Sequence, residues 1–337
     1  MKHHTLIIIV FLLFLTGCGG DADKGDPGLN PPMRALPYTY EEWMGNIADD
    51  ISIADISIPG THDSGAFDSD VDPIENQWVI AQTHTIKNQL KLGVRWLDIR
   101  VRAQKKENGY YLGVYHGKYY LKLSFYSVLK SAKAFLEENP TETVIVMIKQ
   151  EDSHLSSTDF SQEIYKRLKT IGLEHFYLEE NTLPTMGEVR GKIIIFRRFG
   201  LGELGHKMGY WLKWKDQTTG SWNHNRNYQF YVQDYYHVDS GTYDKKIKHI
   251  EDTLYKAYKE SFDDGKGKLY LNYTSCYATW HSNKTVAKHI NPSINDYLKQ
   301  MKHWGKVGVV LVNFAGDSDS DLAPSLVKNI IKANKGL

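Results

Sequence analysis

Cysteine is nearly absent from this chain: Cys18 and Cys276 are the only two in 337 residues. A disulfide framework is therefore excluded, and modification of Cys18 would leave no intramolecular pair at all. An excess of either charge is also missing, since 41 Lys and Arg face 40 Asp and Glu for a net charge of +1. A nucleic-acid surface needs a clear basic surplus, so no nucleic-acid partner is expected. Past residue 15 no apolar run is long enough to cross a bilayer. There is no internal repeat, and no Gly-x-Ser-x-Gly elbow of the kind acyl-transfer hydrolases use. Aromatic residues, by contrast, are plentiful, with 22 Tyr and 8 Trp.

The first residues form a separate object. Lys2 supplies a positive start, Leu6 to Leu15 is apolar but too short to span a membrane, and Leu15-Thr16-Gly17-Cys18 places small residues just before a cysteine. That is the cleavage pattern of bacterial lipoproteins. It reads as a signal peptide over 1–18 and a mature chain beginning at an acylated Cys18. An ordinary signal peptide with a coincidental cysteine is the alternative. Residues 19–37, rich in Gly, Asp and Pro, read as a flexible tether. Residues 38–337 read as one folded domain. The expected location is the bacterial cell envelope, with the protein lipid-anchored on the membrane through Cys18.

Within that domain, short apolar runs recur, each followed by polar residues. "IADISIPG" leads to His62 and Asp63, "VRWLDIRV" carries Asp98 and Arg100, and "YLGVYHG" ends on His116. "TVIVMIKQE" ends on Lys149 and Glu151, "KIIIFRRF" on Arg198, and "YQFYVQDYY" on Asp234 and Tyr236. "KLYLNYTS" and "VGVVLVNF" follow, the latter ending on Asn313. Several runs are almost pure Val, Ile and Leu, as strands buried on both faces are. Helical spacing appears between many of them, over 77–92, 123–138, 160–171, 243–262, 285–304 and 322–333. Strand and helix in alternation predict an α/β fold with a parallel sheet. Eight candidate strands suggest a (β/α)8 TIM barrel. Uneven gaps, without a long helix between Asp98 and His116 or between Arg198 and Tyr228, predict a distorted or incomplete one.

In such a barrel the active site lies at the carboxyl ends of the strands, which is where these ionisable residues collect. Strand ends are often polar merely because they meet solvent. Two histidines, an arginine, a lysine and several carboxylates converging on one mouth exceed that need. Asp98 and Arg100, two apart on a strand, face the same side. Two histidines on separate strands can share acid and base work near neutral pH. An arginine between them can carry the negative charge that develops on a phosphate. Arg100 and Lys149 would put positive charge where a cation would sit, so no metal and no cofactor is expected. Cys276 reads as a small buried residue rather than a nucleophile.

These residues carry a resemblance. "SIPGTHDSGAF", "GVRWLDIRVR", "YHGKYYLKLSFYSVLKSAKAFLEENPTETVIVMIKQE", "GKIIIFRRF", "YVQDYY" and "INPSINDYLKQ" occur in order and resemble the bacterial phosphatidylinositol-specific phospholipase C family. The resemblance implies a distorted TIM barrel and cleavage of phosphatidylinositol, or of a related inositol lipid, to diacylglycerol and inositol 1,2-cyclic phosphate. It implies His62 as general base on the inositol 2-hydroxyl, His116 as general acid on the leaving oxygen, and Arg100 as stabiliser of the phosphorane charge. Asp63 accompanies the base and the arginine, and Asp98 is placed with the same catalytic group. Lys149, Glu151, Arg198, Asp234 and Tyr236 match inositol-binding positions, Tyr236 by stacking. One position departs. Asn313 stands where the family carries an Asp that orients the base, so the base loses a charged partner unless Asp317 or Asp319 supplies one.

Trp78 and Trp280 match family positions that dip into the bilayer at the pocket rim, and Trp211, Trp214 and Trp222 crowd one long loop. Packing inside the fold is the alternative for each of them. The expected partners are an inositol lipid and a membrane surface, and the expected state is a monomer. Two rival readings stay open: a phosphodiesterase for another inositol-containing or glycosylated headgroup, and a surface inositide- or glycan-binding protein with weak or lost turnover.

Overall fold

The computed structural model describes residues 36, 38–224, 228–239, 242–260, 268–301 and 305–334. The expected signal segment with Cys18, and nearly all of the tether, lie outside the described residues. The strands are β1 (Ile58–Thr61), β2 (Trp96–Lys106), β3 (Gly109–His116), β4 (Tyr119–Ser124), β5 (Val144–Gln150), β6 (Phe176–Tyr177) and β7 (Ile193–Arg197). They continue with β8 (Tyr210–Trp211), β9 (Thr218–His224), β10 (Gln229–Asp234), β11 (His237–Val238), β12 (Lys268–Tyr273), β13 (Tyr277–Ala278) and β14 (Val309–Val312). The helices are α1 (Pro73–Val79), α2 (Ile86–Lys91), α3 (Phe125–Glu138), α4 (Ser157–Ile171), α5 (Met186–Val189), α6 (Tyr243–Lys259), α7 (Asn283–Gln300) and α8 (Leu326–Lys332).

Parallel pairing runs β8-β7-β5-β2-β1-β14-β12-β10. The central members β1, β7 and β14 are buried along their whole length, as the unbroken apolar runs required. The ring does not close. Past β10 the next strand is the antiparallel β9, and no described pairing joins β8 to it. Aromatic side chains span the opening instead. The Tyr210 ring stacks on Phe196 and meets Tyr228 edge-on at 5.2 Å, and the Tyr228 hydroxyl donates to the Trp211 carbonyl at 2.7 Å. The expected distorted, incomplete barrel is what forms.

Two expectations about elements need correction. The run ending on His116 is not a barrel strand. β3 pairs antiparallel with β2, Lys106 opposite Gly109. Two intervening residues, Glu107 and Asn108, make a hairpin, whereas a parallel crossover needs a dozen or more. The helix expected over 77–92 is two short helices, α1 and α2, separated by residues 80–85. Thr85 starts the second by capping the amide of Asn88.

The foot of the barrel is closed by Arg95, fully buried against Glu142 at 2.7 and 2.9 Å. Its remaining donors meet the carbonyls of Leu90, Val94, Tyr40 and Glu41, while Glu142 accepts the amides of Met44 and Gly45. Every polar atom of this pair has a partner, the condition for tolerating a buried charge. The pair clamps the segment that leads in from the tether at the end of the barrel opposite the mouth.

Candidate active site

Neighbouring residues on a strand point to opposite faces, so adjacent His62 and Asp63 cannot share a site while the chain stays extended. The chain turns instead. Asp63 adopts φ 43°, in the left-handed region that Asp tolerates better than most residues. Ser64 then ties the turn to β2, its amide donating to the Asp98 carbonyl at 2.9 Å and its hydroxyl accepting the Asp98 amide at 2.8 Å. Phe314, just after Asn313, has φ 55° and turns the end of β14 in the same way. Gly60 admits β2 to this corner, because a Cβ there would lie 3.0 Å from the Trp96 Cβ.

The result is one carboxylate with three basic neighbours. Asp63 Oδ1 meets Arg100 Nε at 2.5 Å, and Asp63 Oδ2 lies 3.4 Å from His62 Nε2 and 3.4 Å from His116 Nε2. His62 Nδ1 is 3.0 Å from Asn313 Oδ1, and its Nε2 is 2.9 Å from Arg100 Nη2. Both contacts fit a neutral ring that donates from Nδ1 to the Asn313 carbonyl oxygen and accepts from the guanidinium at Nε2. Burial pushes the His62 pKa below its usual 6.5, against the pull of Asp63 and with a further push from Arg100. His116 Nδ1 donates to the Val79 carbonyl at 2.8 Å, which aims Nε2 at Asp63. Burial alone would raise the Asp63 pKa, but Arg100, then His116 and His62, outweigh it and hold the carboxyl at about 2.

Asp98 lies beneath this group, 1% exposed, with neither oxygen hydrogen-bonded among the described residues. Burial raises its pKa, with Arg100 opposing and Asp63 adding to the rise. His62, Asp63 and Asp98 together have the spacing of a cation site. Of these, Asp63 and His62 already meet the Arg100 guanidinium, which supplies positive charge there.

The rest of the mouth is built from residues at the ends of the neighbouring strands. Arg100 and Lys149 are register partners across β2 and β5. Lys149 Nζ pairs with Glu151 Oε2 at 2.6 Å, and Glu151 Oε1 accepts the Gly117 amide at 3.1 Å, fixing the loop after His116. The Arg198 guanidinium lies 3.7 Å over the Trp214 ring, whose Nε1 donates to Asp234 Oδ2 at 3.0 Å. His62, Arg100, His116, Lys149, Arg198, Asp234, Tyr236, Asn313 and Trp78 all line one cavity of about 400 Å³. Asp63, Asp98 and Glu151 stand behind that wall.

The structure adds Asp216, Ser275, Cys276, Tyr277 and Asn283 to the lining. Burial pushes the Cys276 thiol up to about 11, so it serves as neutral wall. Trp214, grouped by sequence with the lipid-facing aromatics, is 8% exposed and bridges Arg198 to Asp234. Two residues before Asp216 in an irregular loop, it carried no periodic signal. Trp78 is 37% exposed and Trp280 is 86% exposed, while the Trp222 side chain lies outside the description. Asp319 pairs with Lys284 and Lys288 at 3.4 and 3.0 Å, and Asp317 approaches Lys284 at 3.8 Å. The partner seen at His62 Nδ1 is Asn313.

Two histidines and an arginine gathered on one carboxylate, at the mouth of an incomplete α/β barrel, make an acid–base site suited to a phosphodiester. Residues 56–199 match the family model of the phosphatidylinositol-specific phospholipase C X domain. The chain is 31% identical to a 1-phosphatidylinositol phosphodiesterase of Staphylococcus aureus, over 98% of each protein. It is 27% identical to the Listeria monocytogenes protein of the same name, over 98% of this chain and 96% of that one. The solved S. aureus phosphatidylinositol-specific phospholipase C, studied for modulation of its membrane binding, superposes with a TM-score of 0.76 at 30% identity, covering 88% of this chain and 98% of that one. The Listeria structure gives 0.71 at 27%, covering 88% and 99%. The chain belongs to the phosphatidylinositol-specific phospholipase C family.

Proposed function

We propose that this protein cleaves phosphatidylinositol to diacylglycerol and inositol 1,2-cyclic phosphate, with His62 as base and His116 as acid. The observation that carries the assignment is the single Asp63 carboxylate holding Arg100 at 2.5 Å and both imidazoles at 3.4 Å. In the free protein Arg100 occupies the His62 Nε2 lone pair. Substrate entry moves that donor to a phosphate oxygen and leaves Nε2 to the inositol 2-hydroxyl. His62 takes the hydroxyl proton as the 2-oxygen attacks phosphorus. The phosphorus–oxygen bond to glycerol breaks, and His116 Nε2 protonates the departing diacylglycerol oxygen. Arg100, held by Asp63, meets the growing phosphorane charge in a partly buried site, where such donors are worth most. Lys149, Arg198, Asp234 and Tyr236 hold the ring hydroxyls, with Glu151 setting Lys149. Asn313 keeps the His62 tautomer without adding charge.

The exposed apolar and aromatic side chains support a membrane-facing mouth. Ile74 is 73% exposed, Tyr277 51% and Trp280 86%. Trp280 also has φ 67°, an uncommon backbone for a bulky residue. Amphipathic rings of this kind favour the lipid–water interface. The lipoprotein pattern at Cys18 supports an envelope anchor. Tyr40 and Glu41, which follow the expected tether, meet Arg95 at the barrel foot, opposite the mouth.

Phosphorus NMR of the protein with phosphatidylinositol vesicles in excess EDTA tests the reaction. The expected result is a cyclic phosphate signal at a rate that chelation does not change. Loss of turnover in EDTA with recovery on calcium addition would overturn the role given to Arg100, and a product other than the cyclic phosphate would overturn the reaction.

A further inference from the structure

The segment that interrupts the expected helix, residues 80–85, threads between the turn after β1 and the loop after β14. Its backbone binds both. The amides of Ala81 and Gln82 donate to the Ala66 carbonyl at 2.9 and 3.0 Å, and the Phe314 amide donates to the Ala81 carbonyl at 2.7 Å. The side chain of Gln82 goes further. It is fully buried, and its Nε2 donates to the His62 carbonyl at 2.8 Å and to the Val312 carbonyl at 2.9 Å. Its Oε1 accepts the Ala315 amide at 3.2 Å. One amide thus holds the carbonyl of His62 itself, the carbonyl of the residue before Asn313, and the amide two residues after Asn313.

Beyond this point β1 and β14 no longer hold each other. Their last ladder contact is the His62 amide on the Val312 carbonyl at 3.1 Å. The side-chain bond from His62 Nδ1 to Asn313 Oδ1 lies one residue past it. We propose that Gln82 is a positioning residue for the general base, setting the separation of the two strand ends so that Asn313 meets His62 Nδ1. The proposal rests on the base role given to His62 above. Gln82 carries no charge, and its side chain bonds backbone atoms, so its influence reaches the imidazole through position alone. The charged and titratable groups facing His62 are Asp63, Arg100, Asp98 and His116, with the Tyr273 ring edge-on at 5.9 Å; the Gln82 side chain bonds the backbone at His62, Val312 and Ala315 instead.

The test combines two readouts in folded protein. The His62 imidazole is titrated by NMR, without substrate, in wild type, Gln82→Met, Gln82→Asn, Asn313→Ala and the Gln82→Met/Asn313→Ala double variant. The same proteins are assayed on phosphatidylinositol vesicles. Gln82→Met keeps length and loses all three bonds. Gln82→Asn keeps a neutral amide but draws it back by one methylene from all three partners, and it decides the matter if the methionine variant does not fold. The expected result is a loss of about tenfold in kcat with KM unchanged, as for a catalytic group displaced by a fraction of an ångström. The His62 titration moves to lower pH, because the imidazolium loses its acceptor at Nδ1. The double variant is no worse than Asn313→Ala alone, since the two residues act through one bond. Multiplied losses with an unmoved His62 titration would overturn the proposal, as would a rise in KM alone. A wild-type protein silent on phosphatidylinositol would overturn the proposed function, while the titration would still decide the part played by Gln82.

Discussion

Asp63 and Asp98 share one site. Their oxygens and a His62 nitrogen lie within 4.8 Å of one another, and both residues are 2% exposed or less. Their chemistry diverges nonetheless. Asp63 is held ionised, at about 2, by an arginine at 2.5 Å and two imidazoles. Asp98 has no ion-pair partner among the described residues, and burial takes its pKa the other way. Depth alone does not decide which way a buried carboxylate's pKa moves; the direction in which the nearest cation points does. Arg100 turns its Nε to Asp63 and its Nη2 to His62, and that fork organises the mouth.

The widest expected contrast follows from this. Asp63→Asn removes the partner of Arg100 and of both imidazoles, and kcat should fall about a thousandfold, within the range for loss of an acid–base group. Asp98→Asn should cost less than about tenfold, because it removes neither an ion pair nor a hydrogen bond. Steady-state rates on phosphatidylinositol vesicles check the pair, and equal losses would erase the distinction.

A smaller effect concerns the base. The His62 pKa is lowered, so the ring stays neutral, and competent as a base, below pH 6.5. Protonation as pH falls further sets the acid limb of the rate profile. Asp63 does not set it, since it ionises above about 2. Asn313→Asp places an opposite charge at Nδ1 and favours the imidazolium. The acid limb should move to higher pH, and the rate near pH 8 should rise by about tenfold, equivalent to about 1.4 kcal/mol of barrier. A profile that does not move would mean that Asn313 is not the partner in solution.

Smallest of these is the rim. Trp280→Ala should weaken binding to phosphatidylinositol vesicles about tenfold, from the lost insertion of one amphipathic ring. Turnover of a soluble inositol phosphodiester should be unchanged. Vesicle sedimentation beside a soluble-substrate assay separates the two.

Much of this was readable before any coordinates. The unbroken apolar runs marked strands buried on both faces, and the polar residues at their ends marked the mouth. What escaped depended on short-range detail. The run ending on His116 has strand composition, but only the two-residue turn at Glu107 and Asn108 tells that it folds back as a hairpin. Val79, Ile86 and Leu90 keep helical spacing across a break that Thr85, as a cap, signals weakly. Trp214 and Gln82 act through single contacts to residues far off in sequence, Arg198 and Asp234 for one, His62 and Val312 for the other. No local pattern encodes such contacts. The adjacency of His62 and Asp63 was visible, but the left-handed turn that lets them face one way was not.

The division of labour between the two histidines is tested most directly by the leaving group. His62→Ala and His116→Ala are each assayed on phosphatidylinositol and on an inositol phosphodiester whose leaving group is a nitrophenol, which departs without a proton. The account predicts that both variants are crippled on the natural lipid and that His116→Ala alone recovers on the activated substrate, since only the acid has become dispensable. Recovery of His62→Ala instead, or equal recovery of both, would contradict the assignment.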